Sequence, residues 1–191
     1  MTASPAEPIQ ASASLRERYL AAPDFEAMLG SVQKYAELWA AVWRRAEVGE
    51  EYVRRVATLA GEWHLLVLSE DWCGDAVNTV PVVAKLAALA PNLDLRLLAR
   101  DQNLDLMDAH LTGQSRSIPT VIAFDADFRE RGWWGPRPTE LQGWVLGEGQ
   151  TMDGKERYRA TRTWYARDRG RTTLDEVVSM MERSAGIVVK A

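Results

Sequence analysis

Cys73 is the residue best suited to chemistry, and it is the only cysteine among 191 residues. It lies in the stretch EDWCGDAVNTVP, directly after the apolar run WHLLVLS and before a segment whose apolar residues have helical spacing. At the start of a helix, unpaired N–H groups and the positive end of the helix dipole favour a thiolate over a thiol. The sequence therefore predicts a reactive thiol at a turn between a strand and a helix.

The neighbours of Cys73 affect both the access to its sulfur and its charge. Gly74 has no Cβ and leaves room for an incoming disulfide, while Trp72 offers an apolar wall. Three nearby anions oppose a thiolate, namely Glu70, Asp71 and Asp75. Arg116 is expected to face the site and to offset part of their charge. These effects together predict a Cys73 pKa of about 6 to 8, between a strongly activated and an unperturbed cysteine.

A single cysteine restricts the thiol chemistry that the chain can perform. Ala76 occupies the position three residues after Cys73, where a dithiol reagent carries its second sulfur. No intramolecular disulfide can form, so any disulfide joins this chain to another molecule. A second copy bridged through Cys73 is one such molecule. A reducing compartment, the cytoplasm, fits this use of cysteine best.

Composition and charge argue against several other functions. Apolar residues make up 47% of the chain, and a formal charge of −4 gives no overall basic balance for nucleic acid. The segment 155–171 holds seven basic and two acidic residues with interleaved aromatics, and we interpret it as a solvated helix. We expect no membrane span, because no apolar run approaches about 18 residues. We also expect no metal site, because no set of ligands has suitable spacing.

The pattern of apolar residues predicts one α/β domain with helical additions at both ends. Residues 1–14 are rich in Ala, Ser and Pro and are expected to be disordered. Residues 15–61 have apolar positions at spacings of three and four, with a stripe from Phe25 to Trp43 on one helical face, which predicts an N-terminal helical extension. The α/β domain covers residues 62–146, and a C-terminal helical tail covers residues 147–191.

Strand and helix patterns alternate within residues 62–146. The predicted strands cover 63–69, 93–99, 119–125 and 128–135. With helices after the first, second and fourth strands, this order describes an α/β sandwich around a mixed sheet. In the N-terminal extension Gly61 is expected to cap a helix, and in the tail Thr173 and Glu176 are expected to form a capping box.

Several short motifs together resemble thioredoxin and, in their fuller form, a thioredoxin-like bacterial family. DWCGDA is similar to the W-C-G-P-C active site, Pro81 to the proline of the active-site helix, and SIPT to the turn with a cis proline. Gly135 is similar to the glycine after the last strand. The likeness extends over residues 63–145 and implies a thioredoxin-like three-layer sandwich with a mixed central sheet.

The resemblance also implies roles for individual residues. Cys73 would be the nucleophile. The residues implied to hold its partner are Trp72, Gly74, Asp75, Ile118, Pro119 and Thr120. The N–H and C=O of Ile118 would pair with an extended peptide or with glutathione. Two departures stand against this pattern, because Ala76 removes the resolving thiol and Val67 replaces a buried aspartate that assists proton transfer.

We therefore predict thiol redox chemistry through Cys73 alone, by monothiol disulfide exchange or through a mixed disulfide with glutathione. The partner would be a protein disulfide or a small thiol, with glutathione as a co-substrate and no resident cofactor. Whether the chain is an enzyme stays open. A non-catalytic thioredoxin-fold module that binds a peptide or protein beside Pro119 fits the same residues, and the sequence does not define the oligomeric state.

Overall fold

The computed structural model describes residues 8–187, in which helices flank a four-stranded sheet. The strands are β1 (Trp63–Ser69), β2 (Leu93–Ala99), β3 (Thr120–Phe124) and β4 (Glu130–Trp134). The helices are α1 (Pro8–Ala21), α2 (Phe25–Ser31), α3 (Ala36–Arg45), α4 (Glu50–Ala57), α5 (Ala76–Leu89), α6 (Leu104–Asp108), α7 (Thr139–Leu146), α8 (Gly154–Asp168) and α9 (Arg171–Ser184). Short 3-10 helices cover Arg100–Gln102 and Glu148–Thr151.

β1 lies inside the sheet, whose strand order is β2-β1-β3-β4. It pairs in parallel with β2 and antiparallel with β3, and β3 pairs antiparallel with β4. Six of the seven residues of β1 are buried, as expected for a strand that is covered on both faces. The mixed sheet and the α/β class that the sequence predicts are confirmed.

Helices cover both faces of the sheet. On one face, Tyr19 of α1 packs edge-on against His64 and Phe128, with ring centroids 5.3 and 5.2 Å apart. On the other face, a Cβ built on Gly132 of β4 would lie 3.1 Å from Sδ of Met180, so α9 packs directly on that strand. Helix α5 contacts α9 and lies in the same layer. This arrangement places the first turn of α5 next to the C-terminal end of β1.

The apolar stripe predicted along one helical face between Phe25 and Trp43 is divided between two helices. α2 ends at Ser31, Val32 is extended, and Tyr35 has a φ of 56° before α3 begins. The chain reverses in this link, so the rings of Phe25 and Trp43 contact each other with centroids 4.7 Å apart. Hydrogen bonds between the backbone of this link and residues distant in sequence therefore override the helical periodicity of the sequence.

Two predicted helix caps are wrong. Helix α4 ends at Ala57, with Thr58 and not Gly61 as its C-cap. Helix α9 begins at Arg171, so Thr173 lies within the helix and forms no capping box. Glu176 accepts hydrogen bonds from Trp134 Nε1 and from the N–H of Thr139 instead, at 2.7 and 2.8 Å. Its carboxylate therefore joins α9 to β4 and α7.

The N-terminal region also differs from its prediction. Helix α1 begins at Pro8, so residues 8–14 are helical where the sequence predicts disorder, whereas residues 1–7 lie outside the described residues. A helix is extended more easily than it is begun, and the packed turn around Tyr19 provides the beginning. No helix among residues 8–187 has the length and apolar character needed to cross a membrane.

Arg55 of α4 joins the N-terminal helices to α9. Its guanidinium donates to both carboxylate oxygens of Glu182 at 2.9 and 2.7 Å and to Asp175 at 2.7 Å. It also donates to the hydroxyl of Ser179 at 2.8 Å. Because Glu182 is only 7% exposed, its charge depends on this partner.

We expect Arg55→Met to lower the free energy of unfolding by about 2 kcal/mol, since Glu182 then keeps a buried charge without its ion-pair partner. Urea unfolding followed by tryptophan fluorescence measures the change. Arg54→Met is the matched control, because Arg54 lies on the exposed side of the same helix. Equal losses for the two variants would show that the Arg55 contacts do not hold the helices together.

Candidate functional site

The turn between β1 and α5, residues 70–75, brings Cys73 to the first amide groups of α5. The N–H of Cys73 donates to the carbonyl of Glu70 at 3.1 Å, which closes the turn. Helix α5 begins at Ala76, and the Ala76 N–H donates to Cys73 Sγ at 3.4 Å. A helix-terminal amide therefore contacts the sulfur, in the arrangement that stabilises a thiolate.

The turn at Pro119 lies opposite Cys73. The Ile118–Pro119 peptide bond is cis, and the thiol of Cys73 donates to the carbonyl oxygen of Ile118 at 3.3 Å. This carbonyl, which the sequence assigns to a bound peptide, is occupied by the thiol. Thr120 is fully buried, and its hydroxyl donates to the carbonyl of Ser117 at 3.1 Å. The structure brings Cys73, Ile118 and Pro119 together and turns Thr120 into the core.

Burial dominates the electrostatics of Cys73. The residue is only 7% exposed, and this burial raises the pKa of its thiol above the ordinary value. The hydrogen bond from the Ala76 N–H lowers the pKa, and the charge of Asp75 raises it further. The predicted pKa of about 6 to 8 is therefore wrong, because the loss of solvation outweighs the helix terminus. At neutral pH the sulfur is a thiol that donates to Ile118.

Two of the three acids near Cys73 bind backbone groups outside the turn. Asp71 accepts the N–H groups of Gln33 and Lys34 at 3.0 and 2.9 Å, in the link between α2 and α3. Glu70 accepts the N–H of Asp101 at 2.9 Å, just after β2. Both carboxylates therefore fasten neighbouring loops to the turn.

The third acid, Asp75, is buried in a network that extends to the tail. Its carboxylate binds Arg137 at 2.6 Å and accepts the hydroxyl of Tyr165 in α8 at 2.9 Å. Burial, with the nearby charge of Asp75, raises the pKa of Tyr165. Arg116 does not offset the charge at the site, because it pairs with Asp108 at 2.6 Å. The cation beside the site is therefore Arg137 and not, as the sequence predicts, Arg116.

Helix α8 covers the outer side of the turn. A Cβ built on Gly74 would lie 3.1 Å from the ring of Tyr158, so the absence of a side chain at Gly74 makes room for that ring. Trp72 remains 46% exposed, with the guanidinium of Arg100 lying 5.2 Å from its ring centroid. Sequence reasoning missed Tyr158, and its only signal was the basic and aromatic segment 155–171.

Within residues 8–187, no three His, Cys, Asp or Glu side chains are grouped so as to hold a metal ion.

The mixed sheet, the cysteine before α5 and the cis proline opposite it define the class of thioredoxin-fold proteins. A family model described as Thioredoxin matches residues 22–159, well over half of the chain. The chain belongs to this thioredoxin family. No curated protein sequence matches it.

Two solved structures have a similar fold. One is a protein of unknown function, PA1234 from Pseudomonas aeruginosa, with 21% sequence identity and a TM-score of 0.70. The other is an HIV epitope-scaffold, with 19% identity and a TM-score of 0.69. Each similarity covers 88% of this chain and 97% of the other chain. At such identities the likeness concerns the fold alone.

We expect Cys73 to react with iodoacetamide more slowly at pH 7 than the same cysteine in the chain unfolded by urea. The raised pKa leaves a smaller thiolate fraction, and burial restricts access to that fraction. The rate in the folded protein should still be rising as the pH passes the ordinary thiol pKa. Rates measured from pH 6 to 10.5 test this, and a plateau below pH 8 would contradict it.

We expect Tyr165→Phe to lower the free energy of unfolding by about 1 to 2 kcal/mol, because the buried carboxylate of Asp75 loses a hydrogen bond. Tyr158→Phe is the control, since it removes the hydroxyl of an exposed tyrosine on the same helix. Urea unfolding at pH 7 measures both changes. If Tyr158→Phe were as costly as Tyr165→Phe, the Asp75 contact would not be the source of the stability.

Proposed function

We propose that the chain performs monothiol disulfide exchange through Cys73. The observation that carries this proposal is the pair of contacts at its sulfur, one with the Ile118 carbonyl at 3.3 Å and one with the Ala76 amide at 3.4 Å. The first places the sulfur opposite the Pro119 turn, and the second supplies a donor that stabilises the thiolate.

The exchange has two balanced steps. The thiolate of Cys73 attacks one sulfur of a disulfide, forms a mixed disulfide with it, and expels the other sulfur as a thiolate that takes up a proton. An external thiol then attacks the substrate sulfur of the mixed disulfide, forms a new disulfide with that sulfur, and releases the Cys73 thiolate, which takes up a proton. Glutathione is the external thiol that we propose. Because Ala76 supplies no second sulfur, the rate should depend on the concentration of this thiol.

The burial of Cys73 makes this exchange slow at neutral pH. A thiol with a raised pKa is a stronger nucleophile once ionised, but a smaller fraction of it is ionised. Val67 of β1 is fully buried, and its side chain has no group that can accept the proton of the Cys73 thiol. A substrate therefore has to bring its own favourable contacts to the turn. A reducing compartment, the cytoplasm in our proposal, keeps Cys73 available for this reaction.

The same burial favours a second candidate, a non-catalytic module that binds a protein or peptide. In that case Cys73 packs the turn, and the half-exposed Trp72 with Arg100 above its ring forms the contact surface. This candidate requires no ionisation of the thiol and no access to its sulfur.

Replacing Cys73 by serine separates the two candidates. The wild-type chain should catalyse the glutathione-dependent reduction of hydroxyethyl disulfide, and Cys73→Ser should reduce the rate to that of glutathione alone. Ala88→Ser, at an exposed position in the last turn of α5, is the control and should keep the rate. Equal rates with the wild-type and Cys73→Ser chains would leave the binding module as the better account.

A further inference from the structure

A cavity of about 210 Å³ lies between the first turns of α5 and helix α8. It begins at Gly74 and Asp75, the two residues that directly follow Cys73. Tyr158, whose ring packs on Gly74, forms part of its wall. The cavity is smaller than a pocket for a whole cofactor, and its size suits one end of a small molecule.

The charge of this cavity is positive. Its lining contains the guanidinium groups of Arg137, Arg157 and Arg162 but only the carboxylate of Asp75. Arg137 is paired with that carboxylate, which leaves two cations in excess. Among the ion pairs of residues 8–187, none involves Arg157 or Arg162. Two uncompensated guanidinium groups beside a small concave site attract an anion.

The geometry of arginine indicates which anions would fit. A guanidinium presents parallel N–H groups that match the two oxygens of a carboxylate or a phosphate. Arg162 lies 5.8 Å from the ring centroid of Tyr158, so the ring holds this guanidinium at the rim of the cavity. Arg157 is partly buried, and its Cδ would lie 3.5 Å from a Cβ built on Gly149 in the 3-10 helix.

We propose that this cavity binds a carboxylate of the small thiol or disulfide that reacts at Cys73. The inference rests on the proposed exchange at Cys73 and names its substrate class, a thiol that also carries a carboxylate. A molecule bound in this way has its anionic end beside Arg157 and Arg162, and its sulfur reaches Cys73 past the ring of Tyr158, which packs on Gly74. The cavity thereby supplies the binding contacts that a slow, buried thiol lacks.

Binding is tested without any reaction by titrating S-methylglutathione, which has carboxylates and no free thiol, into the Cys73→Ser protein in a calorimeter. We expect saturable binding that weakens about tenfold or more in the same protein carrying Arg157→Gln and Arg162→Gln, as for the loss of charge-assisted hydrogen bonds. Arg159→Gln with Arg167→Gln is the control. It removes the same charge from α8 at positions that do not line the cavity and should leave binding unchanged.

Two results would overturn the inference. They are no binding of S-methylglutathione, whether or not inorganic phosphate binds, and equal weakening by both double variants. The hydroxyethyl disulfide assay is independent of this titration. Exchange without binding removes the carboxylate site and keeps the proposed function, while binding without exchange removes the function and keeps a site for anionic thioethers.

The selectivity of alkylation provides a second measurement on the wild-type thiol. Iodoacetate and iodoacetamide have the same leaving group and differ by one carboxylate. We expect the rate with iodoacetate, divided by the rate with iodoacetamide, to fall several-fold in the Arg157→Gln, Arg162→Gln variant. The same ratio should stay constant in the Arg159→Gln, Arg167→Gln control. A ratio that does not distinguish the two variants contradicts an anion site next to the thiol.

Discussion

The carboxylate of Asp75 places a constraint on the whole site, because a buried charge is stable only when its partners reach it. These partners are Arg137, just before α7, and Tyr165 in α8, which is 90 residues away in the chain. The turn that contains Cys73 can therefore reach this arrangement only when α8 is in place. The tail predicted as a separate addition forms one wall of the site, and the family match, which runs from residue 22 to residue 159, extends beyond residues 62–146 at both ends.

The elements that sequence reasoning found are those whose signal is local. A strand covered on both faces has to be continuously apolar, and WHLLVLS has that pattern, so β1 was placed correctly. The same reasoning put Cys73 just before a helix. The divided helix between Phe25 and Trp43 was missed because its periodicity continues across the link. Only the contact with Asp71, distant in sequence, shows where the chain turns.

The errors at the site have a common cause as well. The helix terminus that stabilises a thiolate can be recognised in the sequence, but the burial that opposes it comes from the folded chain around the turn. Arg116 is closer in sequence to Pro119 than Arg137 is, but its guanidinium pairs with the carboxylate of Asp108 on α6 instead of facing the site. The basic segment 155–171 could be recognised from composition. Which of its arginines face a cavity depends on how α8 packs, and composition does not contain that information.

Asp71 connects the N-terminal helices directly to the turn that contains Cys73. One oxygen of its carboxylate accepts both free amides of the α2–α3 link, and its own carbonyl accepts Nε1 of Trp39 at 3.0 Å. Asp71, two residues before Cys73, thus provides hydrogen-bond acceptors for a bend that is distant in sequence. The bend and the turn that contains Cys73 stabilise each other, so a chimera that grafts this turn onto another thioredoxin scaffold would have to carry both segments.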